Sequence, residues 1–195
     1  MEARRQHKKL TIVILAICLI MQCFAAAAPA SGREPDYAFH ESGTRYSFLG
    51  WFHTTCDHDQ LVRILFGYQH VKNYYRGAQA IELVNQGAGW NEVCFTHKKL
   101  FATVKSTYRK EMKDNSTIRF VMTSYQQEYA LMLPRLLASQ GHYAVRPESG
   151  GFRVEYYQDC QLQDKVFLKA YITAARLECI EFITDLSNYA EKMCR

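Results

Sequence analysis

The densest set of reactive side chains in the sequence is His53-Thr54-Thr55-Cys56-Asp57-His58-Asp59, with two imidazoles, a thiol and two carboxylates within seven residues. Imidazole nitrogen, thiolate and carboxylate are the ligand set of zinc and related metals. The spacings match no closed zinc motif, and Asp57 stands where a helix starting at His58 needs its N-cap, with Gln60 three residues on. Capping plus a disulfide at Cys56 accounts for the run, so no metal and no cofactor are assigned. Nucleophilic catalysis has little to build on, because the sequence has no G-x-S-x-G elbow. Cys94 and His97 are three apart on a predicted strand, which aims them at opposite faces. Acid–base chemistry inside a cavity could draw on His97, His142, Tyr108 or Glu82. None of them is assigned a catalytic role.

Lys98, Lys99, Lys105, Arg109, Lys110 and Lys113 form a modest basic patch. It reads as a solvated sheet face, with transient contact to an anionic membrane surface as the functional alternative. Asn115-Ser116-Thr117 is an N-glycosylation sequon at a predicted hairpin turn, which matters only in a eukaryotic secretory pathway.

Residues 1–30 read as a secretory signal peptide. Arg4, Arg5, Lys8 and Lys9 precede the apolar run Leu10 to Met21, and Ala28-Pro29-Ala30 before Ser31 offers a cleavage site. The run is short for a membrane span. An uncleaved anchor is the alternative. The leader holds four of the 24 Lys and Arg residues and one of the 19 Asp and Glu, leaving 20 against 18. A remainder so near neutral gives no reason to expect nucleic acid. Export places the remaining chain in the periplasm or outside the cell, where disulfides persist. Five of the seven cysteines lie beyond the leader: Cys56, Cys94, Cys160, Cys179 and Cys194. Cys179 and Cys194 sit on one predicted helix, about 22 Å apart at helical rise, so they cannot pair with each other. The favoured pair is Cys56 with Cys194.

The elements that must position these groups follow in a clear order. Residues 31–42 lack periodicity and read as a leader to the fold. Thr44 to Thr54 reads as a strand, followed by the helix capped at Asp57 with its stripe Leu61, Ile64, Leu65 and Tyr68. Gly67 interrupts it, and a second short helix runs through Val71, Tyr74 and Tyr75 to Gly77. The period then drops to two, with strands over Ala80–Val84, Glu92–His97, Phe101–Arg109, Thr117–Thr123, His142–Arg146 and Phe152–Leu162. Their short connections require antiparallel hairpins. Tyr129 to Ser139, with Pro134 inside it, reads as a partly helical loop at the sheet rim. Asp164 is the expected cap of a long helix over Lys165 to Met193, with Phe167, Ala170, Tyr171, Ala174, Leu177, Ile180, Ile183, Leu186, Ala190 and Met193 as its apolar face.

A strand, two short helices, six antiparallel strands and one long C-terminal helix follow the order of the helix-grip fold. With the stretches LVRILFGYQHVKNYY, AIELVNQGAGW and LLASQGHYAVRPESGGFRVEYYQ, residues 43–194 resemble the START-like (SRPBCC) superfamily. That superfamily includes Bet v 1-type, polyketide cyclase/dehydrase-type and coenzyme Q-binding proteins. The resemblance implies an α+β domain: a curved antiparallel sheet of about seven strands around the C-terminal helix, enclosing an apolar cavity. It carries over no catalytic residue.

Alternation places Ile118, Phe120 and Met122 inward with Arg119 in water, and Phe152, Val154 and Tyr156 opposite Arg153 and Glu155. The expected ligand lining is Val104, Tyr108, Ile118, Phe120, Met122, Val154, Tyr156, Tyr171, Leu177 and Ile180. Any one of these could equally be core packing. The function expected is an exported protein that binds a hydrophobic small molecule such as a lipid, quinone, sterol or polyketide-like compound. An enzyme of polyketide cyclase or dehydratase type using the same cavity is the first alternative, and a protein-interaction module the second.

Overall fold

A computed structural model of the chain describes residues 34–99, 102–128 and 133–195. The leader read as an export signal lies outside these residues, as do Leu100, Phe101, Tyr129 to Met132 and the side chain of Lys99. The strands are β1 (Asp36–Ser42), β2 (Arg45–Thr54), β3 (Ala80–Gly87), β4 (Trp90–Lys99), β5 (Ala102–Met112), β6 (Thr117–Glu128), β7 (Leu136–Glu148) and β8 (Gly151–Leu162). Helices α1 (His58–Phe66) and α2 (Tyr68–Tyr74) follow β2, and α3 (Leu168–Met193) follows β8. One eight-stranded antiparallel sheet runs in the order β1-β2-β8-β7-β6-β5-β4-β3, and α3 packs on its inner face. This is the α+β helix-grip layout.

Local chemistry explains several boundaries. Asp57 adopts an extended conformation and its carboxylate accepts from the Asp59 and Gln60 amides at 2.9 and 3.2 Å, which caps α1. Gly67 ends α1 and begins α2. Gly50 on β2 leaves room for Ile183 of α3, because a Cβ there would meet that side chain at 3.0 Å. Cys56 and Cys194 form a disulfide that ties the start of α1 to the end of α3 across 138 residues.

Four expectations need correction. Residues 36–42 are not a leader but strand β1, paired along β2 from Asp36↔Trp51 to Ser42↔Arg45. An edge strand with nearly every residue exposed carries no burial alternation for the sequence to show. Leu136 to Ser139 is not loop but the start of β7. Asp164 does not cap α3, whose N-cap is Phe167 with no side-chain hydrogen bond. The buried face of α3 is Ile172, Ala175, Cys179, Ile183, Leu186, Ser187 and Ala190, so the expected stripe was out of phase in its first half. Glu155 faces away from the interior as expected, yet it is buried, because Arg146 and Arg153 close over it at 2.7 and 2.6 Å.

The β6–β7 pairing is incomplete. The β6–β7 ladder runs from Thr117↔Ala144 to Val121↔Gln140 and stops, although β6 continues to Glu128 and β7 begins at Leu136. The two strands diverge there. A bulge at Thr107/Tyr108 in the β5–β6 pairing falls beside this divergence.

Candidate functional site

The concave side of the sheet is aromatic. Beginning at Tyr75, just beyond α2, rings follow one another through Phe95 (β4), Tyr108 (β5), Phe120 (β6), Tyr156 (β8) and Phe182 (α3). Successive centroids are 5.7, 5.9, 6.1, 5.7 and 4.7 Å apart, and Phe182 returns to Tyr75 at 5.5 Å. Six side chains, from five elements and the residue that follows α2, thus close a belt around the interior. Most contacts are edge-on or tilted, the arrangements the aromatic quadrupole favours. Tyr143 of β7 backs the belt, 5.5 Å from Phe120 and 5.1 Å from Tyr156. Gly141 makes this possible, since a Cβ there would collide with the Tyr157 carbonyl oxygen and the Phe120 ring.

Burial pushes the phenols of Tyr75, Tyr108 and Tyr171 upward, yet each keeps surface that water can reach. Tyr108 stands beside the β6–β7 divergence, opposite Met122 of β6. There the Tyr125 phenol donates to Gln127 Oε1 at 2.7 Å and accepts from the Leu136 amide, bridging the gap.

A polar row crosses the wall beside Tyr108. Gln158 Nε2 donates to Ser139 Oγ at 3.0 Å, and the Cys160 thiol points at the same oxygen at 3.3 Å. Gln158 Oε1 accepts from the Tyr156 hydroxyl at 2.8 Å and faces the Cys179 thiol at 3.8 Å. Ser139 hydrogen-bonds the Tyr108 phenol and draws its pKa part of the way back down. Burial pushes the Cys160 thiol up to about 11, so this row holds neutral donors at ordinary pH.

The expected lining residues divide into groups. Tyr108, Phe120 and Tyr156 belong to the belt. Val104, Met122, Tyr171 and Ile180 are half-buried beside it. Ile118 and Val154 are fully enclosed in the core beneath. Leu177 is 46% exposed and points away from the sheet, two residues past buried Ala175 on the helical wheel. Tyr75, Phe95, Phe182, Ser139 and Gln158 were missed. Phe95 shows in the Val93, Phe95, His97 alternation of β4, whereas nothing local marks Tyr75, which lies between two elements.

Of the acid–base candidates, only His97 and Tyr108 face inward. His97 Nδ1 donates to the Gly77 carbonyl at 3.0 Å, and its ring lies 5.8 Å from Tyr75. His142 lies on the outer face against Tyr157, and Glu82 is exposed. The His53–Asp59 run is otherwise engaged. His53 pairs with Glu148 at 2.7 Å, and His58 bonds Ser116 and Asp59 at 3.0 Å each. The basic patch loses one member to the interior. Lys110 is 3% exposed, donates from Nζ to the Leu65 carbonyl at 3.1 Å, and lies 5.5 Å from the Tyr143 ring. Its cross-strand partner Asn91 donates to the Phe66 carbonyl at 3.1 Å. Together they satisfy carbonyls that the end of α1 leaves open. A shallow outer depression of about 270 Å³ between His40, Ser47 and Tyr157 is bounded by the Arg45–Asp159 ion pair.

No family model and no curated protein sequence matches the chain. Solved structures do. A STAR-related lipid transfer protein from Xanthomonas axonopodis is 12% identical, with a TM-score of 0.64 over 85% of this chain and 96% of that one. The Zhui aromatase/cyclase from Streptomyces is 10% identical, with a TM-score of 0.63 over 77% and 96%. A major latex-like protein from Panax ginseng is 13% identical, with a TM-score of 0.55 over 78% and 99%. At these identities the likeness shows the fold: the chain has the START-like helix-grip fold.

Proposed function

We propose that the chain is an exported START-like protein that holds a hydrophobic small molecule (a lipid, quinone, sterol or polyketide-like compound) between the sheet and α3. The observation that carries this is the aromatic belt around phenols that are deep yet reachable by water. Such a wall is apolar with a few convergent polar groups, the usual make-up of a small-molecule site. The names of two structural neighbours, a lipid transfer protein and an aromatase/cyclase, point to the same kind of cargo. Export is supported by the composition of residues 1–30 and by the Cys56–Cys194 disulfide, which persists in an oxidising compartment. Affinity comes from apolar area removed from water, at about 25 cal/mol per Å². Entry and release run through the β6–β7 divergence, where only side chains span the gap between the described strands.

Native mass spectrometry of the protein purified from its own compartment tests the proposal, alongside thermal shifts across a lipid and quinone panel. A bound mass and a selective shift are the expected outcomes. Apo mass alone, with no shift for any compound, refutes it. The enzyme alternative keeps one specific support, the inward His97 beside Tyr75. Loss of a measured turnover in His97→Gln would favour it over a carrier.

A further inference from the structure

Among the described residues the sheet ends at β1 on one side and β3 on the other. An edge strand leaves a row of backbone N–H and C=O groups unpaired, and proteins usually blunt it. β3 is blunted, because its ladder with β4 shifts register between Leu83 and Asn85 and bends the strand there. β1 has no such interruption. It pairs with β2 from Asp36↔Trp51 to Ser42↔Arg45 with no change of register. Phe39 is half-buried and every other residue of β1 is exposed, Tyr37 at 40%. The middle of the strand, Tyr37-Ala38-Phe39, contains no charged residue and no Pro. Its rings are nonetheless held in place. Tyr37 stacks on Phe48 at 6.0 Å and Phe39 on Tyr46 at 5.5 Å, and the Arg176 guanidinium of α3 lies over both at 5.9 and 5.8 Å.

We propose that β1 is the interface for a second copy of this chain, pairing antiparallel with its own counterpart so that two sheets join edge to edge. A two-fold axis normal to the sheet keeps both concave sides on one face, so odd residues stand opposite odd ones and even opposite even. Centring the axis on Phe39 sets the Glu41 carboxylate against the Tyr37 ring. Centring it on Tyr37 brings Phe39 opposite Pro35, which has no N–H to give. Centred on Ala38, the strand complements itself. Ala38, its smallest side chain, meets its own copy, while Asp36 meets His40 on the convex face and Tyr37 meets Phe39 on the concave face, twice each by symmetry. Opposed acid–base and aromatic pairs are the cross-strand contacts that stabilise a sheet. The contact is an edge and not a broad face, so the dimer is weak, with a dissociation constant in the micromolar range. The β6–β7 divergence lies beyond β2, β8 and β7, so this pairing leaves it open and stands independently of any ligand.

Sedimentation velocity of the purified protein from micromolar to millimolar concentration tests the proposal, with Asp36→Lys, His40→Glu and the two combined. Both positions are exposed, so circular dichroism and the urea midpoint should match wild type in every variant. Asp36→Lys replaces the carboxylate facing His40 by an ammonium, and His40→Glu sets two carboxylates against each other. Each single change acts at both symmetry-related pairs and is expected to raise the dimer dissociation constant about tenfold. The combined variant restores opposite charges and is expected to return within about threefold of wild type. A wild type that stays monomeric throughout overturns the proposal, including the case in which β1 pairs with a different protein. A wild-type dimer that neither single change weakens, or that the combined variant fails to restore, overturns it as well.

Discussion

Lys110→Met turns a structural detail into a measurable pH dependence. The Lys110 ammonium sits among apolar groups, with the Leu65 carbonyl at 3.1 Å and the Tyr143 ring at 5.5 Å. Among the described residues it makes no ion pair with a carboxylate. Burial lowers its pKa from 10.5 to about 8. Below pH 8 both folded and unfolded states hold the proton, and the folded state bears the whole cost of the buried charge. Between about pH 8 and 10.5 the unfolded chain keeps the proton while the folded chain releases it, so stability rises with pH across that window. The span of the shift corresponds to about 3 kcal/mol at 1.36 kcal/mol per pKa unit.

Methionine fills a similar volume and removes the titration, but it leaves the Leu65 carbonyl without its donor, a cost of about 1–3 kcal/mol. The variant should therefore match or slightly exceed wild type at pH 7. Relative to wild type it should lose about 3 kcal/mol by pH 10.5. The other titratable groups facing this region are the phenols of Tyr143 and Tyr74, both raised mainly by burial. A folded-state phenol pKa that is raised takes stability away as pH climbs past 10, in wild type and variant alike, so the difference between the two proteins isolates Lys110. Urea unfolding followed by circular dichroism at pH 7, 8, 9 and 10 gives that difference. A flat difference, or one growing in the variant's favour, refutes the assignment of a buried, charge-penalised lysine.

Three further outcomes follow from the packing. Reduction of the Cys56–Cys194 bond, or Cys194→Ser, releases a closure of 138 residues and should cost about 4–5 kcal/mol on the chain-entropy account, read as a drop in the urea midpoint that the reduced wild type reproduces. Gly141→Ala places a methyl against the Tyr157 carbonyl and the Phe120 ring, so it should destabilise by about 1–3 kcal/mol and disturb the near-ultraviolet circular dichroism of the belt. Ile183→Ala, at a fully buried position of α3, should cost about 2–5 kcal/mol, whereas Leu177→Ala, 46% exposed, should stay within about 0.5 kcal/mol. Equal effects at those two positions would mean that α3 presents a different face to the sheet.

What the chain dictates locally was legible in its residues. The Asp57 cap, the Gly67 break, the period-two strands and the long final helix each arise from neighbours a few positions apart, where propensity and patterning act directly. The Cys56–Cys194 pairing came within reach because the order of elements brings the ends of β2 and α3 to one place. Strand β1 was invisible because an exposed edge strand has no buried face to alternate with. Lys110 was placed in solvent because a lysine is almost never fully buried; only the open carbonyls at the end of α1, brought over β5 by the fold, gave its charge a partner. The phase of α3 was uncertain from sequence because apolar residues lie on more than half of its circumference, so only the sheet it packs against selects Cys179 and Ile183 over Leu177. The same limit holds for the candidate site. Alternation identifies which residues of one strand point inward. It cannot assemble Tyr75, Phe95, Tyr108, Phe120, Tyr156 and Phe182 into a closed ring, because that closure joins five elements and the residue after α2 through contacts that exist only once the sheet has curved around the helix.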